Sequence, residues 1–378
     1  MKTWQTKKLE AIAEFSGGLW TGKKEPFKKI KVLRNTNFRN TGILDYSNVA
    51  ELLVEERQLK SRLLEEGDIV LEKSGGGPGQ PVGRVVYFDS QDEYSYSNFT
   101  CRVRIKDKME VLPKFLWLFL LREYICGATE KMQKQTTGIR NLIMAEYKNL
   151  EIPLPPLDEQ KKIVKILDEK MGKIAEAKRL RAEALADTEK ILSQTLHEIF
   201  EEGKKGGWEE KTIGDLFVFN YGKGLSKFDR SENGKYIAYG ANGELGKTDK
   251  FLTEGESIIV GRKGSAGEVT RASGKFWPTD VTYYITEDKE YNINFAFYLF
   301  KYLDFTRYAK GVKPGINRNE IYSLKFYYPS LAEQQKIVTK LDALSEKVRT
   351  LRDLQTSQLA DLKSLERAYL REAFRGEL

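Results

Sequence analysis

Polar and apolar positions change period along this chain, and the change happens twice. From residue 1 to about 152 the apolar residues come in short runs of strand length, Phe27 to Leu33, Asp68 to Glu72, Val82 to Phe88 and Thr100 to Ile105. Gly67-Asp68 and Gly75-Gly76-Gly77-Pro78-Gly79 punctuate them as turns. Phe115, Leu118, Phe119, Arg122 and Ile125 recur at helical spacing and predict a helix over 114–126. Short strands with one such helix predict an α+β domain. From Leu157 the pattern becomes the 3-4 alternation of a helical seam. Val164, Leu167, Met171 and Ile174 carry it, then Leu185, Thr188, Leu192, Thr195 and Ile199. Lys178 and Arg181 occupy seam positions between them, which predicts a register shift or looser packing there. Gly203-Lys204-Lys205-Gly206-Gly207 closes the helix as a linker.

The whole sequence of events then restarts. Trp208-Glu209-Glu210-Lys211-Thr212-Ile213 echoes Trp4-Gln5-Thr6-Lys7-Lys8-Leu9, and Glu254-Gly255-Glu256-Ser257-Ile258-Ile259-Val260 echoes Glu66-Gly67-Asp68-Ile69-Val70. Thr137-Gly138-Ile139-Arg140-Asn141 matches Pro314-Gly315-Ile316-Asn317-Arg318-Asn319 more loosely. The firmest repeat opens each long helix. Pro155, Leu157, Glu159, Gln160, Ile163, Val164, Leu167 and Asp168 recur as Pro329, Leu331, Glu333, Gln334, Ile337, Val338, Leu341 and Asp342. Prolines that cannot be helical precede a helix start in both copies. The second long helix is predicted over 331–374, with a seam of Leu341, Leu344, Val348, Leu351, Leu362, Leu365 and Tyr369.

The predicted plan is a globular domain over 1–152, a linker and helix over 153–203, a second domain over 204–328, and a linker and helix over 329–378. A pseudo-two-fold axis relating the halves would run the helices antiparallel, so that they bury their seams on each other as a coiled coil. About 44 residues at 1.5 Å each give a rod of roughly 65 Å. So charged a helix is marginal alone, and mutual packing has to stabilise it.

Composition narrows the function. The net charge is +8, and over residues 157–201 and 331–374 basic and acidic side chains are equal, 17 of each, so the excess lies in the globular parts. Basic domains on charge-balanced rods fit polyanion binding by the domains and protein contacts by the rods. A single histidine, His197, all but excludes a histidine triad or a His-rich zinc site. Cys101 and Cys126 lack metal-ligand spacing and read as reduced thiols of a cytoplasmic protein. No apolar run approaches the roughly 20 residues that span a bilayer, and the first residues have no signal-peptide core. Catalytic motifs are not evident. Pro155-Pro156 follows Leu154, unlike the loop of an amine methyltransferase, and Asp68 with Glu72-Lys73 is misspaced for a nuclease.

Candidate contacts with a polyanion sit in the loops. Lys73 and Ser74 open the glycine run Gly75–Gly79, and Gly261-Arg262-Lys263-Gly264-Ser265-Ala266-Gly267 is its counterpart after an equivalent strand. Neither ends in the Gly-Lys-Ser/Thr of a P-loop. Lys134 and Arg140, then Lys313 and Arg318, lie in polar stretches ahead of each proline motif, and Arg84, Tyr221, Lys223 and Lys227 lie in turn-like segments. Arginine and lysine pair with phosphates and with guanine edges. Trp20, Tyr239 and Trp277 could stack on bases, although core packing is the simpler expectation. Glu159, Gln160, Glu333 and Gln334 are candidates for docking a partner, or for capping the helix and joining it to its domain.

Both halves, in order, resemble the specificity subunit of a type I restriction–modification enzyme. The resemblance rests on Ile152-Pro153-Leu154-Pro155-Pro156-Leu157-Asp158-Glu159-Gln160, on Pro329-Ser330-Leu331-Ala332-Glu333-Gln334, on Tyr239-Gly240-Ala241-Asn242-Gly243, on Val260 to Gly267, and on Ala373-Phe374-Arg375-Gly376-Glu377-Leu378. The first half departs from it with Glu72-Lys73-Ser74 where the second has Gly261-Arg262-Lys263. It implies two target-recognition domains, each reading one half of an asymmetric, bipartite site in double-stranded DNA. The helices would set the gap and dock two methyltransferase subunits, with restriction and translocase subunits joining them. No cofactor is expected on this chain; S-adenosylmethionine, ATP and magnesium would belong to the partners. A coiled-coil scaffold with protein-binding ends, and a self-sufficient nuclease or methyltransferase, are the competing readings.

Overall fold

The computed structural model describes residues 4–20, 22, 24–77, 79–136 and 138–377. Pro78 of the glycine run, Thr137 of the loose repeat and Leu378 of the terminal motif lie outside them. The chain divides into two units, one of residues 1–180 with 358–378 and one of residues 181–357.

In the first unit, strand Ile69–Glu72 is buried at every position and sits between Thr100–Ile105 and Val85–Tyr87, with Ala13–Gly17 outside Thr100–Ile105. The predicted bounds of Phe27–Leu33 and Thr100–Ile105 hold. The strand predicted over 82–88 shortens to Val85–Tyr87, because Gly83 takes a left-handed φ of +105°. Phe27–Leu33 pairs antiparallel with Ala50–Glu55 and parallel with Tyr94–Tyr96. Helix Pro113–Ile125 covers the first sheet with Phe115, Leu118 and Phe119.

The second unit repeats this order. Ser257–Gly261 lies between Thr282–Thr286 and Val269–Ala272, with Asn220–Tyr221 outside Thr282–Thr286, and helix Ile293–Leu303 packs against that sheet. A second sheet runs Gly243–Thr248, Tyr236–Gly240, Lys275–Pro278 and Thr253–Glu254. Both units close on a two-stranded ribbon, Gln5–Lys8 with Glu151–Leu154 and Glu209–Thr212 with Lys325–Tyr328.

The long helices run Leu157–Lys205 and Leu331–Ala373. The first ends where Gly207 turns left-handed at φ +84°. In the first unit Ile163 and Leu167 of one helix and Leu370 and Phe374, at and just beyond the end of the other, join the domain core. Lys170 lies over Tyr369 and Lys178 Nζ is 2.6 Å from Glu366 Oε2, so the helices are antiparallel there. In the second unit Leu196, Ile199 and Phe200 join Ile337, Val338 and Leu341 in the core, and Thr188 Oγ1 lies 3.2 Å from Gln355 Oε1.

Of the two charged seam positions, Lys178 is paired with Glu366, whereas Arg181 is exposed as a looser seam requires. Leu351 and Leu365 are each 42% exposed, whereas Gln355, in heptad step with Leu341, Val348, Leu362 and Tyr369, is buried. The apolar residues alone had suggested the wrong facing position at two layers.

Candidate nucleic-acid interface

A short platform built the same way in both units carries most of the candidate residues. Its base is a backbone hairpin-like grip. Lys73 and Ser74 donate their amides to Phe99 O, and Leu142 donates to Lys73 O at 2.8 Å. In the second unit Arg262 and Lys263 donate to Val281 O, and Ile316 donates to Arg262 O at 3.1 Å. Behind it, Thr100 Oγ1 donates to Ser97 O and Thr282 Oγ1 to Thr279 O. A Cβ on Gly18 would collide with Ser97 O, and one on Gly222 with Thr279 O. Gly75 and Gly264 then turn the loops with φ of +111° and +83°. Only glycine makes that turn without strain.

These shared bonds fix which residues correspond. Lys73 answers Arg262, Ser74 answers Lys263, and Glu72 answers Gly261. The strand pairs Gly17 with Cys101 and Tyr221 with Tyr283 answer each other. Asn141 answers Gly315 and, counting onward, Met144 answers Arg318. The loose repeat around Gly138 is therefore three residues out of step with the fold, because the first unit spends extra residues on the hairpin Gln133–Thr136 with Ile139–Leu142.

In the second unit the structure brings Tyr221, Arg262, Lys263 and Arg318 together around an open concavity of about 430 Å³. The Arg262 guanidinium lies 5.3 Å and that of Arg318 4.9 Å from the Tyr221 ring centre. Both guanidiniums are oriented by backbone carbonyls, Arg262 Nη1 donating to Asp280 O at 3.0 Å and Arg318 Nη1 to Phe219 O at 3.3 Å. Burial, and then the hydroxyl of Tyr221, push the Tyr283 phenol above its ordinary pKa. Lys313 is exposed on the neighbouring loop beside Val312, and Lys223 is exposed, its carbonyl accepting from the Trp277 indole at 2.8 Å.

The first unit has a different surface on the same frame. Lys73 is half-buried near Gly17 and Cys101, and burial pushes the Cys101 thiol upward against the opposing pull of Lys73. Ser74 Oγ lies 2.7 Å from Asn141 Oδ1, and Arg140 pairs across the strand with Gly76. Lys134 is exposed on the hairpin. Trp20, expected in a core, is 64% exposed. Its backbone is held by Gln58, which accepts from Trp20 N at 3.0 Å and donates to Trp20 O at 3.3 Å. The indole borders an apolar groove of about 570 Å³ with Leu53, Phe99 and Arg34. Leu19 just before it is still paired with Ser97 and buried, so Trp20 is the first residue past the sheet. Tyr239, by contrast, is buried as expected.

Three candidates turn inward instead. Arg84 is only 6% exposed and forms a two-bond ion pair with Glu72 at 2.7 and 2.8 Å, while also donating to Phe38 O. Such a side chain holds the platform rather than meeting a ligand. Gln160 and Gln334 are fully buried. Gln160 Nε2 donates to Glu110 O and Pro155 O, each at 2.9 Å, and its Oε1 accepts from Leu112 N at 2.9 Å. Gln334 repeats this with Pro329 O at 3.0 Å and Asn292 N at 2.9 Å. These two glutamines join helix to domain and are closed to a partner. Glu333 remains exposed and Glu159 half-exposed. Among the described residues no helix is long and apolar enough to cross a membrane.

The family model for the type I restriction modification DNA specificity domain matches residues 1–184 and again 205–358. The EcoprrI type I specificity subunit of Escherichia coli is 25% identical over 279 residues, 68% of each chain. The putative MjaX specificity subunit of Methanocaldococcus jannaschii is 24% identical over 92% of this chain and 88% of its own. Among solved structures, a chain from work on complex assembly and conformational transition of the type I R-M system superposes with a TM-score of 0.81, at 21% identity, over 99% of this chain and 98% of its own. The HsdS subunit of Thermoanaerobacter tengcongensis follows at 0.58 and 20%, over 99% and 97%. With one copy of the domain matched in each half and the platform repeated in both, the chain belongs to the family of type I restriction–modification specificity subunits.

Proposed function

We propose that this chain is the non-catalytic DNA-recognition subunit of its complex, each globular unit reading one half of a split, asymmetric site in double-stranded DNA. The observation that carries the reading is one backbone platform bearing two unlike sets of side chains. Tyr221, Tyr283, Arg262 and Arg318 in one unit stand where Gly17, Cys101, Lys73 and Met144 stand in the other. Equal frames with unequal contact residues suit two different half-sites. The excess positive charge outside the helices supports a polyanionic partner. The helices serve as the spacer between half-sites and as docking surfaces for two methyltransferase subunits, with restriction and translocase subunits beyond them. S-adenosylmethionine, ATP and magnesium act on those partners, in the cytoplasm.

Footprinting of the chain with its methyltransferase subunits tests this. Two unlike protected segments separated by a constant gap are expected. A continuous or palindromic footprint, or turnover by the chain alone with magnesium or S-adenosylmethionine, would overturn it.

A further inference from the structure

Two guanidinium groups on one phenol ring are an unbalanced arrangement. Among the described residues no carboxylate lies within ion-pairing distance of Arg262 or Arg318, and their acceptors are neutral, the carbonyls of Asp280 and Phe219 and the hydroxyl of Tyr283. Arg318 Nε is buried without an acceptor. Lys263, exposed on the same rim, adds a third positive charge, and Asn317 and Asn319 bring amide side chains. Like charges lining one concavity are stabilised by an anion that shares its oxygens among them.

We propose that this concavity binds one phosphodiester group of the DNA backbone, and that the first unit lacks an equivalent site. The deduction rests on the reading that this face meets DNA, and sharpens it. Direct reading of guanine needs a free, extended guanidinium fork in the groove. Here each fork has one arm committed to the protein's own backbone, and both side chains line a concave space. A phosphate accepts single bonds from several directions and fits that space. In the first unit the corresponding positions hold Lys73 and Met144, with Gly17 and Cys101 in place of the tyrosines, so the arginine pair is missing from those positions. The second half-site should therefore carry more of the sequence-independent, salt-sensitive binding.

The test is a cycle between protein and DNA, using the chain assembled with its methyltransferase subunits. Single phosphates flanking the second half-site are replaced in turn by neutral methylphosphonates. One replacement should weaken binding by the parent about tenfold and have no further effect on the R262Q/R318Q double variant. That variant should flatten the log affinity against log salt plot by about 0.9 per phosphate lost. Its loss should be equal on cognate and base-substituted duplexes. An altered base preference with an unchanged slope would make the arginines base readers and overturn the proposal. So would additive effects at every methylphosphonate position. Saturable binding of inorganic phosphate to the DNA-free chain, without coupling to any methylphosphonate, would assign the site to the free anion and overturn the DNA source. If the parent complex shows no salt-dependent binding to duplex at all, the DNA reading itself fails, whatever the variants do.

Discussion

Gln160 and Gln334 show how much one amide can organise. Each caps the backbone ahead of its own helix and binds the residue that starts the domain's covering helix, Leu112 in one unit and Asn292 in the other. Removing the Gln160 amide leaves a buried backbone N–H without an acceptor, a loss of about 1–3 kcal/mol. Q160A should lower the thermal midpoint accordingly, and binding of partners measured below that midpoint should be unchanged; an unaltered midpoint with lost partner binding would return Gln160 to a docking role. Buried phenols give a second prediction at this scale. Burial, then the charge of Asp288, push Tyr291 up to about 12, and burial also raises Tyr283 and Tyr298. An unfolded tyrosine ionises near roughly 10. The folded pKa is the higher, so this stabilisation is complete below pH 10 and is lost as pH rises towards 12. Thermal midpoints measured across that window should fall; a flat profile would contradict the burial. The motif Pro-x-x-x-x-Gln made these glutamines visible in the sequence. Their burial was not, because it depends on a loop some fifty residues away folding back onto the amide.

At the scale of the helices, charge does what apolar residues do elsewhere in the seam. Lys178 and Glu366 face each other with side chains 20% and 16% exposed, and Thr188 with Gln355 makes a second polar layer. Each pair holds the register without adding greatly to stability, since desolvation offsets much of the attraction. K178L alone should strand Glu366 and lower the midpoint, while K178L/E366L should match or exceed the parent. A double variant less stable than K178L would contradict this account. Helix bounds and most of the apolar seam were legible from periodicity, Leu351 and Leu365 excepted. The polar layers were not, because a lysine at a seam position reads as a break until the helix opposite supplies its carboxylate. The platform loops were half legible. Arg262, Lys263, Tyr221 and Arg318 were found as basic or aromatic turn residues, and the fold gathers them. Arg84 looked the same in sequence, but Glu72 on the adjacent strand claims it.

At the scale of the whole molecule, the proposed function requires the helices to set the gap between two unlike half-sites. A matched insertion of seven residues in each helix, near Ala182 and near Asp361, preserves the heptad seam and lengthens the pair by about 10 Å. That equals about 3 base pairs at 3.4 Å each. Bound sequences selected from random DNA should then show the same half-sites with a gap about 3 base pairs longer; an unchanged gap in a normally folded variant would remove the spacer role. The proposed recognition role is tested most directly by mapping DNA methylation in cells with and without this chain. Its presence should direct methylation to one split motif of two different half-sites with a fixed gap. Methylation that is unchanged by its loss, or that follows a continuous or palindromic motif, would contradict it.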